Sequence, residues 1–550
     1  MNYNINITHL KRYQHIKLTK MGIPSFFSYI VRNNCSIIKK ISKDQVINNL
    51  YLDSNSIIYD SFHSIKNEYN GNKEDFELEL IKKVCKKIEY YINEIKPNNR
   101  VIIAYDGVAP VAKMEQQRTR RYKSMLERKM KKVISPISYY ESYEWKTTAI
   151  TPGTEFMTKL NELTEKYFKN NEKKYGLNEI IVNGSDKVGE GEHKIFEYLR
   201  NKKSHSNECT FIYGLDADLI MLGLNHLPIA KHIYLYRETP EFIKSINSSL
   251  NPNESYVLDL PELSQAIVST MNNGRKVNNK QQSNRLYDYI FLCFFLGNDF
   301  MPHFPAINIR INGIEIMINA YKKILGDTNK NLTNGKEIYW SNVYDLVFEL
   351  SENEWNNIVS NNKTRERQSK RQYKKPEERY LNAPMLDRED ELYIAPFIPN
   401  WEDRYYKTLF DSNGTQEYKK KVSINYLEGL EWVMKYYTSG CSDWSWHYKY
   451  PYPPLLKDLV KYVPRWGVEF IKENNNKPVS PYTQLAYVLP KDSLKFLPTN
   501  IYNQLIYKKS KNYKENCKLK WAFCRYIWEA HVDLPEIDID ELQDFILKIK

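Results

Sequence analysis

Seven carboxylates fall where strands are expected to give way to loops, and their placement restricts the fold more than any other feature. They are Asp53 in YLDSN, Asp106 in IIAYDG, Glu190 and Glu192 in GEGEH, Asp216 and Asp218 in YGLDADL, and Asp299 in LGNDF. Short β-rich runs precede four of them: Asn49–Leu52, Val101–Tyr105, Thr210–Tyr213, and Tyr289–Leu292 further upstream of Asp299. In an open α/β sheet, ligands bind beyond the carboxyl ends of strands, so acids at those ends converge on one crevice. Like charges gathered there repel unless hard cations neutralise them. The economical reading is a site for two Mg²⁺ ions, with Mn²⁺ as a substitute, built for phosphoryl transfer. Any single Asp could instead cap a helix or open a turn. The pairs Glu190-x-Glu192 and Asp216-x-Asp218, each beside glycine, favour the metal site for the set.

At 550 residues the chain has room for two or more domains and a sizeable core. Apolar residues are 42% and the mean hydropathy is −0.63, the balance of a soluble protein. No run approaches the roughly 20 apolar residues of a membrane span. The opening MNYNINITHLKRYQHIKLTK lacks an apolar core and so is no secretory signal. Seven cysteines are scattered without a CxxC pair, which argues against a disulfide scaffold or zinc ribbon and for reduced thiols. The expected setting is intracellular, cytoplasmic first and nuclear as the alternative, and the sequons at Asn6 and Asn247 are then chance matches. A net charge of +13 favours a polyanionic partner, most simply nucleic acid. The wealth of Asn, Lys, Ile and Tyr fits an AT-rich coding sequence equally well.

Residues 1–20 read as a loose polar arm, and MGIPSFFSYIVRNN from Met21 as an amphipathic helical opening with Pro24 early in the helix. From 21 to about 325, strand-like runs alternate with helical segments, the pattern of a mainly parallel sheet flanked by helices. Residues 326–390 form an Asn-rich and then charged connector containing KTRERQSKRQYKKPEER (363–379), read as a solvated helix or mobile link. A basic strip touching RNA is the sharper reading of that run. Residues 391–550 turn aromatic and proline-rich between helices, with helical spacing over Ser423–Tyr437 and then DWSWHYKYPYPP (443–454).

After the Asp106 strand comes GVAPVAKMEQQRTRRYKS, in which Pro110 marks a helix start. Lys113, Gln117, Arg120 and Arg121 then stand at i, i+4, i+7 and i+8, on one face near the Asp106 end of the sheet. Three cations and an amide there suit a terminal phosphate. A basic solvent-facing helix is the plain alternative.

These residues resemble a known family. MGIPSFF, NLYLDSNSII, YDGVAPVAKMEQQRTRRYKS, ITPGTEFM, GEGEHKI, YGLDADLIMLGL and FLGNDFMPHFP are similar, in order and spacing, to signature blocks of the XRN 5′→3′ exoribonucleases, within the PIN/FEN-like nucleases. WVMKYYTSGCSDWSWHYKYPYPP, SPYTQLAYVLP and LPEIDIDELQDFI resemble the family's second region. The resemblance implies an α/β PIN/FEN-like nuclease domain over 21–325 and a mostly helical second region, 391–550, packed over it. It implies that Asp53, Asp106, Glu190, Glu192, Asp216, Asp218 and Asp299 hold two Mg²⁺ ions. It implies further that Lys113, Gln117, Arg120 and Arg121 line a pocket for a 5′-monophosphate. In the family a His six residues after the first Asp stacks on the terminal base; here Tyr59 stands in that place, with Trp444 or Trp446 for the opposite face.

The chain departs from the family pattern in places. Val111 replaces an Arg usual in GVAPRAK, about twenty residues precede Met21, and a compact form without the large C-terminal extension is expected. The function so implied is processive, Mg²⁺-dependent 5′→3′ degradation of single-stranded, 5′-monophosphorylated RNA to mononucleotides. The protein is expected to be a monomer, with RNA-decay or decapping factors as partners and no membrane. A 5′→3′ DNA exonuclease or flap endonuclease shares the acids but lacks the aromatic second region, and no G-x-G hairpin signature follows Asp299. A non-catalytic RNA-binding or scaffold protein would require a lost acid, and none is lost.

Overall fold

Seven strands form one sheet: β1 (Ile38–Lys40), β2 (Asn49–Asp53), β3 (Arg100–Ala104), β4 (Glu179–Asn183), β5 (Cys209–Tyr213), β6 (His232–Glu238) and β7 (Ser255–Asp259). Their spatial order is β1-β7-β6-β5-β2-β3-β4. Pairings among β2 to β6 are parallel, whereas β7 pairs antiparallel with both β6 and β1. The computed structural model describes residues 26–42, 44–134, 144–214, 216–238, 250–251, 254–474 and 476–549. The expected arm 1–20, the MGIPS opening with Pro24, and both sequons lie outside the described residues.

β2 and β3 are buried along their whole length, which is why they read as continuous apolar runs rather than alternating ones. Strand alternation sends their side chains into two cores. Leu50, Leu52, Val101, Ile103, Phe211 and Tyr213 pack on one face; Tyr51, Ile102, Ala104 and Ile212 pack on the other. The second of these cores continues without a break through Phe291 and Phe295 to Tyr437, Trp432 and Trp446. The aromatic region therefore packs onto the sheet-bearing half, forming one core with it.

Eight helices position the site and its surroundings: α1 (Asn55–Ile65), α2 (Val111–Ile134), α3 (Gly191–Asn201), α4 (Asp218–His226), α5 (Asn279–Phe294), α6 (Glu354–Ser369), α7 (Gln416–Thr438) and α8 (Pro481–Val488). Several starts are legible locally. Asn278, Thr415 and Ser480 accept backbone N–H bonds at the heads of α5, α7 and α8, and Pro481 opens α8. The run Tyr289–Leu292 is not a strand but the last turns of α5. A fully buried apolar run carries no face-to-face contrast, so periodicity does not separate the two forms. Length and the Asn278 cap decide for helix.

The charged run begins inside α6, where Arg365 turns inward and is buried. It donates from Nε to Glu391 Oε2 at 2.9 Å and from Nη2 to Glu391 Oε1 at 2.5 Å. Arg388 Nε bonds the same carboxylate at 2.7 Å, and the Phe523 N–H donates to it at 2.8 Å. A buried Arg–Glu–Arg cluster thus ties the charged segment to the end of the chain.

Candidate active site

The sheet register aligns the strand ends: Asp53 pairs with Ala104 on β3, and Leu52 with Tyr213 on β5. Asp106 and Asp216 follow two and three residues beyond β3 and β5, on the same edge. Glu190 and Glu192 bracket the start of α3, and Asp218 is the first residue of α4. Asp53, Glu192 and Asp216 each bring an oxygen to within 4.8 Å of the others. Glycine is required for this convergence. A Cβ on Gly191 would stand 2.8 Å from Asp53 Oδ1 and 3.1 Å from the Ala104 carbonyl; one on Gly107 would stand 1.7 Å from the Lys187 carbonyl.

The acids are individually held. Asp106 accepts from the Asn55 amide and, at 2.8 Å, from the Gly191 N–H, while its own N–H donates to Asn55 Oδ1 at 3.2 Å. Glu190 accepts from the Tyr436 hydroxyl at 2.7 Å and lies 2.6 Å from Lys113 Nζ. Lys113 also donates to Asp299 at 2.8 Å. Asp299 reaches the cluster from the turn after α5, where Asn298 Oδ1 accepts from the N–H groups of Phe300 and Met301. Read from spacing as a phosphate ligand, Lys113 thus lies among the acids.

Burial and crowding raise the proton affinity of the cluster. Burial first, then the neighbouring Asp106 and Asp216, hold Asp53 well above the usual carboxylate range. Burial likewise raises Glu192, Asp218 and Glu190, the last against the pull of Lys113. Asp216 is pushed up to about 6 by burial, with Lys113 opposing. Burial alone would lower the Lys113 ammonium, but Asp299, Glu190 and Glu192 hold it well above the ordinary value. Lys113 stands inside the cluster, with Arg120 and Arg237 near Asp216 and Lys194 near Asp106, so the seven carboxylates still outnumber the cations around them. An oxygen-only donor set of this kind fits hard divalent cations such as Mg²⁺ or Mn²⁺.

Along α2, Gln117 is buried and its Oε1 meets no hydrogen-bond partner among the described residues. Arg121 donates from Nη2 to Thr151 Oγ1 at 2.7 Å, yet its buried Nε is unmet. Burial lowers this guanidinium to about 10, with the nearby Tyr59 phenol opposing. Tyr59, half-buried on α1, and Arg121 are therefore neighbours. Arg120 lies close enough to steady Asp216. The head of α2 is fixed from outside: the Val111 N–H donates to the Trp444 carbonyl at 2.9 Å and the Ala109 N–H to Gln484 at 2.8 Å. Val111 itself packs with Leu485 and Ala486 of α8.

The two tryptophans differ sharply. Trp446 stacks on Trp432 (5.1 Å, 25°), Trp432 on Tyr436 (4.8 Å, 22°), and Tyr436 on His193 (3.8 Å, 29°). That column runs from the aromatic block to the head of α3, with Trp446 only 8% exposed. Trp444 is half-buried, and its ring has no aromatic partner among the described residues. Sequence reasoning did not single out Tyr436, Asn55, Thr151 or Arg237. The Arg237 guanidinium, at the end of β6, lies 4.1 Å over the Phe27 ring and is lowered to about 10 by burial, with Asp216 opposing. Only an Arg so near a strand end could have flagged it.

An acid cluster beyond the carboxyl ends of parallel strands, joined to a basic helix and packed against an aromatic-rich region, defines a sheet-edge acidic site of the kind that suits hard divalent cations. Family comparison is more specific. The description "XRN 5'-3' exonuclease N-terminus" matches residues 21–239, and "Xrn1 helical domain" matches 280–399 and 394–550. The "5'-3' exoribonuclease 1" of Saccharomyces cerevisiae is 28% identical over 96% of this chain and 43% of its own length. The "5'-3' exoribonuclease 1" of Homo sapiens is 29% identical over 94% of this chain and 33% of its own. The "5'-3' exoribonuclease 2 homolog" of Drosophila melanogaster is 25% identical over 94% and 70%. The chain belongs to the XRN family, and it spans less than half the length of the two exoribonuclease 1 relatives. Among the described residues, no helix is long and apolar enough to cross a membrane.

Proposed function

We propose that this chain is a metal-dependent 5′→3′ exoribonuclease that works processively on single-stranded RNA with a 5′-monophosphate and releases nucleoside monophosphates. The observation that carries the reading is a pair of features joined by one helix. At the head of α2, Lys113 enters the acid cluster; farther along, Gln117 and Arg121 present buried polar atoms with unmet hydrogen bonds. A buried donor is costly to leave unmet, and a terminal phosphate oxygen would accept from Arg121 Nε–H, with the Gln117 side chain beside it able to turn its NH₂ toward the same phosphate.

In this reading Asp53, Asp106, Glu190, Glu192, Asp216, Asp218 and Asp299 hold Mg²⁺ or Mn²⁺. The bound cations would supply Lewis acidity, easing deprotonation of the attacking water and neutralising charge at the leaving oxygen. Lys113 keeps Glu190 and Asp299 in place and relieves their repulsion, and Tyr436 fixes the rotamer of Glu190. Asn55 and the Gly191 N–H do the same for Asp106. Arg121, with Gln117 and Arg120, grips the 5′ phosphate, which sets the scissile bond one nucleotide away, over the acids. Tyr59 and Trp444 hold the terminal base by its faces, a grip indifferent to base identity. Burial around Arg121 excludes bulkier triphosphate or capped ends. The cellular setting we propose is an RNA-decay pathway of the cell interior. The test is purified protein with Mg²⁺ on internally labelled RNA and DNA bearing 5′-hydroxyl, monophosphate or triphosphate ends. Preferred loss of monophosphorylated RNA with mononucleotide products is expected; equal rates on all ends, or cleavage of DNA alone, would overturn the reading.

A further inference from the structure

The charged run 363–379 has a second face that the acid cluster does not use. Arg365 of α6 is spent on Glu391, but Thr364, Arg367, Gln368 and Arg371, at i, i+3, i+4 and i+7, line an open cleft of about 550 Å³. Its opposite wall is Arg525, more than 150 residues further along the chain. Three guanidiniums converge there and no carboxylate lines the cleft. Among the described residues none of the three stands within ion-pair distance of an acid. Arg367 donates to Thr364 Oγ1 at 3.2 Å and Arg525 to Asn382 Oδ1 at 2.8 Å, both neutral acceptors. Of the nearby acids, Glu529 pairs with Arg310 at 2.8 Å and accepts the Arg525 backbone N–H at 2.8 Å, and Glu366 pairs with Lys370 at 3.7 Å. A concave site lined by one sign of charge concentrates counter-ions, and arginine forks match phosphate oxygens.

Aromatic rings flank the Arg525 side of the cleft. Arg525 lies 4.5 Å over Tyr526, and Tyr526 stacks on Trp528 at 4.2 Å and 17°. The same loop is anchored to α2, where Lys123 donates to the carbonyls of Trp528 and Ala530 at 2.7 and 2.9 Å. Lys123 is ten residues beyond Lys113 on that helix, about 15 Å along its axis at 1.5 Å per residue. The loop that follows Arg525 therefore sits alongside the helix whose head enters the acid cluster, nearly three turns beyond that head. Cations interleaved with aromatics along a groove are the pattern for single-stranded nucleic acid.

We propose that this cleft, lined by Arg367, Arg371 and Arg525, is a sequence-independent subsite for the phosphodiester backbone of single-stranded RNA, holding the unreacted chain 3′ to the nucleotides at the acid cluster. The assignment rests on the exoribonuclease reading above. A flexible polyanion presenting phosphates at short intervals can reach both sites at once, which an acidic protein surface cannot.

The test compares wild type with R367E/R371E, whose side chains are exposed, on 5′-monophosphorylated RNAs of about 4 and about 20 nucleotides, chosen to fall within and beyond one binding groove. Binding is measured by fluorescence anisotropy in EDTA over a salt series, and hydrolysis in Mg²⁺. Two lost phosphate contacts should lower the slope of log K against log salt by about 1.4 for the long RNA. Its affinity should fall about tenfold or more, while binding and hydrolysis of the short RNA stay within twofold. R367K/R371K should keep the wild-type salt slope, which separates charge from misfolding. Wild-type hydrolysis of both RNAs with unchanged long-RNA affinity in the charge-reversal variant overturns the subsite alone. Equal losses on both lengths also overturn it, as does loss of binding to polyglutamate with RNA binding intact. A wild type that hydrolyses neither RNA overturns the functional reading beneath it.

Discussion

Replacing Asp216 with Asn should stabilise the metal-free protein at alkaline pH while abolishing turnover. Asp216 titrates near 6 in the folded protein against 3.8 for an unperturbed aspartate, because burial penalises its charge. The folded state therefore holds this proton more tightly than the unfolded state. Stability from this group is greatest below pH 3.8, declines as pH rises to about 6, and the full penalty persists above. Two pH units correspond to about 3 kcal/mol, and partial exposure of the side chain reduces this to about 1–3 kcal/mol. With an unfolding entropy near 2.1 cal/mol/K per residue, a chain of this size should gain about 1–3 °C in Tm. Differential scanning fluorimetry in EDTA at pH 8 reads this directly, with a control near pH 4 where the two proteins should converge. Added Mg²⁺ should narrow the gap by stabilising wild type preferentially. An Asp216→Asn protein less stable than wild type in EDTA at pH 8 would refute the reasoning, because the carboxylate would then be compensated inside the protein rather than awaiting a cation.

Glu391→Gln leaves Arg365 and Arg388 buried without a counter-charge, so equilibrium denaturation should show a loss of about 3–5 kcal/mol; a neutral effect would mean the cluster is open to water. Gly191→Ala should inactivate the protein and weaken metal binding by calorimetry, because the methyl group would meet Asp53 at 2.8 Å. Tyr59→Ala and Trp444→Ala should lower hydrolysis of all four bases by similar factors, each lost stack being worth about 1–3 kcal/mol, with Tyr59→His tolerated. Trp446→Ala should instead lower Tm, since its ring belongs to the Trp432–Tyr436–His193 column; kinetic loss at full stability would place Trp446 at the base.

The sheet-edge acids were readable because parallel strands put a carboxyl-end residue in a fixed place: Asp53, Asp106 and Asp216 follow runs whose burial is written in their composition. Asp299 was found with the wrong element before it, since Phe291 and its neighbours are buried on every side and show no period. Tyr436 was invisible because its hydroxyl meets Glu190 across 246 residues, a contact made only by docking α7 on α3. Spacing put Lys113 on the same stripe as Gln117 and Arg121, but one helical turn separates the acids from the unmet polar atoms. Trp444 and Trp446 are two residues apart in one motif, and only the packed column distinguishes them. The split of the charged run into an inward Arg365 and outward Arg367 and Arg371 follows helical geometry, yet its meaning depends on Glu391 and Arg525 from distant segments.

The central claim is that the acid cluster and the Arg121 pocket act together on a 5′-monophosphate. The direct measurement is kcat/KM on the same RNA with a 5′-monophosphate and with a 5′-hydroxyl, in Mg²⁺, for wild type and Arg121→Ala. Wild type should favour the monophosphate strongly, and Arg121→Ala should erode that preference by about 10–150-fold, the equivalent of about 1.5–3 kcal/mol for a lost charge-assisted bond. Equal kcat/KM on the two ends for wild type, with mononucleotide release intact, would contradict it.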